Sequence, residues 1–179
     1  VYLDLPLSTE KEIELPEAAH NHLVKVLRMK QGFKVVLFNG DGFDYQAELS
    51  SVAKRGSSVR IMAADSTDRE SPISIHIGQG LSRGERMVYA VKKATELGVK
   101  SLTPLFTDRS EVKLTAERQE KRSAHWQQIS ISASEQSFRS KPLSVNAPLS
   151  LTEWVEQCDA ELKLILHPHL ELTSLNNEP

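Results

Sequence analysis

Ile73-Ser74-Ile75-His76-Ile77-Gly78-Gln79-Gly80, running on through Leu81-Ser82-Arg83-Gly84-Glu85-Arg86-Met87, marks a change of grammar in the chain. Isoleucine at every second position predicts a strand, and Gly78-Gln79-Gly80 predicts a tight turn leaving it. Ser82 to Glu85 reads as a capping box opening a helix over Met87, Ala90, Val91, Ala94 and Leu97, with Gly98 as its stop. Beyond it, Ser101 to Phe106 predicts a second strand and Thr115 to Gln136 a long helix with Trp126, Ile129 and Ala133 on one stripe. Ser150-Leu151-Thr152-Glu153 is another capping box, for a short helix ending near Cys158, and Leu162 to Leu166 predicts a buried strand halted by His167-Pro168. Strands alternating with helices in this way predict a mainly parallel sheet, so residues 73–179 read as an α/β domain. The last strand has no helix to close it, and a C-terminal part of the domain is expected to be absent from this sequence.

Upstream the pattern is different. Lys34 to Phe38, the turn residues Asn39-Gly40-Asp41-Gly42 and the alternating Tyr45 to Leu49 predict a hairpin, and Ser57 to Met62 a further strand after the turn at Lys54-Arg55-Gly56. Short strands at this spacing predict a small β-barrel over residues 1–67. Ala19, Leu23, Val26 and Leu27 fall at helical spacing and predict one amphipathic helix plugging it. The polar stretch Ser66 to Pro72 is the linker.

Composition narrows the function. The chain has 179 residues, 39% hydrophobic and 26% charged, and one cysteine, Cys158. No run approaches the ~20 apolar residues of a membrane span, and a single thiol suits a reducing, cytoplasmic setting. Net charge is −2, yet residues 71–142 hold 12 Lys and Arg against 7 Asp and Glu, while residues 1–70 hold 9 against 11. A basic block in an acidic chain creates a local field suited to phosphate, with solvated helix faces as the alternative reading.

The spacing of Gly78, Gly80 and Gly84 is one residue too long for a dinucleotide fingerprint, and the position where a ribose-binding acid would fall is near Lys100. That disfavours a nicotinamide or flavin enzyme. His20 and His22 would point apart on a helix, and His167 and His169 lack partners at metal spacing, so no metal is expected. More informative are Arg83 and Arg86 near a helix start, Arg109 after a strand, and Glu135, Gln136 and Arg139 at the end of the long helix. Guanidinium groups suit phosphate, and Glu or Gln can meet the polar edge of a base. A surface ion-pair network is the alternative for the last group.

In chain order, the run His22 to Arg28, Ser82 to Met87, Lys93, Glu96 to Val99, Thr103-Pro104-Leu105, Arg109, Val112-Lys113-Leu114, Trp126, Ser134-Glu135-Gln136 and Arg139 resembles the bacterial ribosomal RNA small-subunit methyltransferase E family. The resemblance implies an α+β two-domain chain with a PUA-like β-barrel before a SPOUT-type domain containing a trefoil knot. It also implies a homodimer that methylates a uridine at N3 in 16S rRNA of the small ribosomal subunit, using S-adenosylmethionine. Carried over residue by residue, Arg109, Glu135, Gln136 and Arg139 are catalytic candidates, Arg28, Arg83 and Arg86 RNA contacts, and Leu166, His167 and Pro168 a cofactor-side loop. Two loops depart from the family pattern: Ser110-Glu111 follows Arg109 where Cys-Gly is common, and Phe138 stands where a glycine commonly precedes the arginine. The family's later glycine-rich and Arg-x-Glu-Thr segments do not occur in the chain. A noncatalytic RNA-binding module is the rival expectation.

Overall fold

The computed structural model describes residues 1–66, 69–108 and 115–166. The N-terminal strands β1 (Glu12–Glu14), β2 (Lys34–Leu37), β3 (Asp44–Val52) and β4 (Ser57–Asp65) form an antiparallel sheet in the order β1-β4-β3-β2. The pairings among these residues make an open sheet, where the sequence predicted a closed barrel; Tyr2 adds a single parallel bridge to Phe38 beyond the end of β2. Alternation decides its faces. Leu37, Tyr45, Ala47, Leu49, Val59 and Ile61 point inward and are buried together with Leu3, Leu15, Ala19 and Leu23. On the outer face Glu12, Arg60, Glu48 and Lys34 stand side by side across all four strands, charges of alternating sign that hold this surface near neutrality.

The predicted plugging helix is present but altered. Helix α1 (Glu17–His20) passes directly into a π-helical segment, Asn21–Val26, in which Leu27 N–H donates to His22 O at 2.9 Å. The wider turn breaks the 3.6-residue spacing, so Ala19 and Leu23 reach the core while Val26 and Leu27 remain 68% and 54% exposed. His20 is buried and its Nδ1 lies 2.9 Å from Ser57 Oγ, whereas His22 is exposed. The chain then leaves the π-helix through Arg28, which has a φ of +55°.

The second sheet is parallel. β5 (His76–Gly80) pairs with β6 (Ser101–Phe106), whose first residues pair with β7 (Ser144–Val145) and whose last pair with β8 (Leu149–Ser150). β5 begins three residues later than Ile73, and it contains the two glycines read as a turn. The reason is steric: a Cβ on Gly78 would come within 2.8 Å of Leu105 Cδ1 and of the Trp154 ring, so only glycine lets β6 and the short helix that carries Trp154 approach. α2 (Glu85–Glu96) is likewise entered without the predicted capping box. Its N-cap is Gly84, with φ +55° and no side-chain cap.

Met87, Val91 and Ala94 of α2 pack with Trp126 of α3 (Ala116–Ser137) over Leu102 and Leu143. α3 is pinned to the sheet by polar groups on its inner stripe: Ser130 Oγ donates to Leu143 O at 2.8 Å, and Gln127 Oε1 accepts from Val145 N–H at 2.9 Å. Ser150 and Glu153 form the predicted capping box of α4 (Leu151–Glu156). Leu162 to Leu166, in contrast, is no buried strand. Leu162, Leu164, Ile165 and Leu166 are all exposed, because β6 is already flanked by β7 and β8 and no described strand pairs with the run.

Candidate functional site

In an open parallel sheet, ligands gather beyond the carboxyl ends of the strands. Here that edge carries Gly80 and Leu81 after β5, Phe106 and Thr107 after β6, and Ser150 at the end of β8. Arg83 and Arg86 lie at the entry to α2 on the same edge, and both are exposed. Backbone N–H groups at that helix start add a partial positive charge. Arg109 would follow Asp108 here, but it lies outside the described residues, as do His167 and Pro168. Leu166 is described, and its side chain is 99% exposed.

Glu135, Gln136 and Arg139 lie at the other end of the sheet. α3 ends beside the start of β6: the Arg139 guanidinium lies against Gly98, three residues before Ser101, close enough that a Cβ on Gly98 would stand 2.9 Å from Nη1. A strand of six residues spans roughly 20 Å. Within one chain, therefore, the helix end and the carboxyl edge are separated by the length of β6.

What surrounds the helix end is the junction between the two domains. Arg139 is 11% exposed by side chain and pairs through Nη2 with Glu70 of the linker. Arg69 Nη1 donates to Phe138 O at 2.6 Å and lies 3.2 Å from Asp44 Oδ2 on β3. Glu135 Oε1 accepts from Tyr2 N–H at 3.0 Å, and Lys141 lies along Gly42 in the β2-β3 turn. Gln136 is exposed. The sequence placed three of these residues, Glu135, Gln136 and Arg139, in one functional group; it gave no sign that Arg69, Glu70, Asp44 and Tyr2 would meet them.

Phe138 is the irregular residue of this junction. It terminates α3 with φ +57° and ψ +36°, the left-handed conformation that costs a non-glycine residue about 1 kcal/mol, and its ring is 76% exposed. A glycine at this point would adopt the same conformation without that cost.

A second basic surface is absent from the block counts. From Ala18 to Gly40 the chain has no acidic residue and four cations, Lys25, Arg28, Lys30 and Lys34, all exposed. None of the four is within ion-pair distance of a carboxylate among the described residues. Phe33, Val26 and Leu27 are exposed among them. Averaging over residues 1–70 had hidden this run, and a shorter window would have found it.

Elsewhere, titration is governed by local bonds. Tyr45 donates to Asp41 Oδ2 at 2.7 Å, and that bond, with burial and the Asp41 charge, pushes its pKa up to about 12. Hydrogen bonds from Ser150 hold the Glu153 carboxyl below its ordinary value.

The chain thus joins an N-terminal antiparallel sheet with a basic flank to a parallel α/β sheet that carries arginines at its ligand edge, an architecture of two modules. Family models match both halves: an RNA methyltransferase PUA domain over residues 15–62 and an RNA methyltransferase domain over residues 69–178. The chain belongs to the ribosomal RNA small subunit methyltransferase E family. It is 37% identical to a Legionella pneumophila protein described as a methyltransferase and solved with SAM bound, which it matches over 100% of its own length and 74% of the other's, with a TM-score of 0.93. A ribosomal RNA small subunit methyltransferase E from Neisseria gonorrhoeae, solved with S-adenosyl methionine, is 35% identical over 88% of this chain and 65% of that one, with a TM-score of 0.83. The family member from Bacillus subtilis is 35% identical over 68% of this chain and 47% of its own length. The chain thus spans between about half and three quarters of these relatives.

Proposed function

We propose that the full-length protein transfers a methyl group from S-adenosylmethionine to N3 of a uridine in 16S rRNA. The observation that carries this reading is the likeness, along the whole described chain, to a methyltransferase solved with that cofactor. Residues 1–67 act as a PUA-like β-barrel module and residues 73–179 as the SPOUT-type domain with its trefoil knot. The setting is cytoplasmic.

The cofactor supplies an electrophilic methyl group on a sulfonium. Leu166 offers an open apolar side chain suited to an adenine face, and His167 and Pro168, next in sequence, are proposed to act with it. Uridine N3–H is weakly acidic, so the base must be held and its developing negative charge met by donors. Arg109 is the proposed donor to that charge, and Gln136, exposed at the end of α3, the group that hydrogen-bonds the base edge. Glu135 and Arg139 complete this set, oriented by their bonds to Tyr2 and Glu70. Because β6 separates the carboxyl edge from Gln136 in one chain, a homodimer in which one copy's helix end meets the partner's carboxyl edge fits the proposal.

Arg28, Arg83 and Arg86 are proposed phosphate contacts. Calorimetry with S-adenosylmethionine and NAD separately, followed by RNA titration over a range of salt, tests the reading. Saturable binding of the methyl donor alone is expected, with RNA affinity falling steeply as salt rises; each of Arg28→Ala, Arg83→Ala and Arg86→Ala should lower the slope of log K against log salt by up to about one. Binding of NAD alone, or salt-independent RNA affinity, would overturn it.

A further inference from the structure

We propose that Arg69 is a positioning residue that holds the strained turn at the end of α3 in register with the N-terminal domain, and so sets the placement of Gln136 and Arg139. The inference rests on the methyltransferase reading for its assay, and on three observations for its content. Arg69 is a linker residue that touches both domains at once, through Asp44 on β3 and the carbonyl of Phe138. That carbonyl belongs to the left-handed residue, whose exposed ring offers little packing to hold it. A strained backbone conformation persists only where its surroundings over-determine it. Here the surroundings include Arg69 on that residue's own carbonyl and, one residue on, the Arg139 pair with Glu70 against Gly98.

Adjacent linker residues thus grip adjacent turn residues, Arg69 on Phe138 and Glu70 on Arg139. If the linker moves, both grips shift together, and the groups at the helix end move with them. Since Asp44 sits in the same sheet as Lys34, the last cation of the basic run, RNA held on that module and the helix end that meets the base become one rigid unit. A displacement of about 1 Å in a positioning element is enough to cost up to ~100-fold in rate.

A glycine at 138 adopts the left-handed conformation without strain, and this separates positioning from simple stabilisation. In single-turnover methylation of 30S subunits by the full-length protein, Arg69→Ala should lower the maximal rate about 10-fold, while affinity for subunits and for S-adenosylmethionine stays within about twofold. In a Phe138→Gly background the same Arg69→Ala change should cost less than about threefold. If Arg69→Ala melts below the assay temperature, Arg69→Gln, which keeps an amide donor, is read in the same two backgrounds. Equal losses with Phe138 and with Gly at 138, or no loss in either, would overturn the inference. An inactive but folded wild-type protein would instead refute the methyltransferase reading, so the two failures are told apart.

Discussion

In the N-terminal sheet, Leu37, Leu49, Val59 and Ile61 have no exposed surface, and the opposite face is finished with a row of alternating charges. In the α/β domain, Met87, Val91 and Leu102 are as well buried, yet Leu162, Leu164, Ile165 and Leu166 stand open beside a helix, α4, that buries no residue completely. The two domains draw on the same apolar residue types. What differs is topology. Antiparallel hairpins bring each strand its partner within a few residues, so the sheet forms locally. A parallel sheet must wait for a crossover before each new partner arrives, and its last apolar run is covered only by elements that pack from elsewhere.

The comparison is sharpest in the cores. Ile61→Ala should destabilise the N-terminal domain by about 2–5 kcal/mol, whereas Leu164→Ala, at an exposed site, should stay within about 0.5 kcal/mol. Urea unfolding followed by circular dichroism checks both; a large effect at Leu164 would mean that the open run is packed in solution.

Next in size is the close approach inside the parallel sheet. Gly78→Ala pushes a methyl toward Leu105 and Trp154, and overpacking of this kind costs roughly 1–3 kcal/mol. Gly56→Ala in the N-terminal turn, where the nearest atom would be Glu14 Oε1 at 3.5 Å, should cost much less. Thermal melts of the two variants give the ordering.

Capping comes third. Ser150→Ala removes the acceptor for Glu153 N–H and should cost about 1 kcal/mol. Ser82→Ala should do almost nothing, since the structure shows no side-chain cap at the start of α2.

A pH dependence of stability is also expected from the N-terminal domain. The Tyr45 hydroxyl is held protonated by its bond to Asp41, so its contribution is present below the unfolded pKa of 10.0 and lost as pH rises toward 12. Tyr45→Phe should flatten stability against pH across that window, as read by denaturation at several pH values. A slope that survives the substitution would assign the effect to another group.

These contrasts also explain what could be read in advance. The hairpin turn Asn39 to Gly42, the β6 run and the Ser150 to Glu153 box are local chemistry, and the structure contains all three. Gly78 misled because glycine signals either a turn or a close contact, and only the position of Leu105 and Trp154 decides between them. Val26 and Leu27 misled because a π-helix changes the period without changing the composition. At the helix end, Glu135 and Arg139 were recognisable as polar groups with work to do, but their partners Tyr2 and Glu70 are 133 and 69 residues away along the chain. Contacts of that separation leave no local pattern.

The central claim is that these two modules together methylate one uridine of 16S rRNA at N3. Its most direct test incubates the full-length protein with S-adenosylmethionine and 30S subunits lacking the modification, then digests the rRNA to nucleosides for mass spectrometry. The account predicts N3-methyluridine in 16S rRNA, at no more than one residue per subunit. A methyl group on another atom or another nucleoside, or no transfer by a protein that binds the methyl donor, would contradict it.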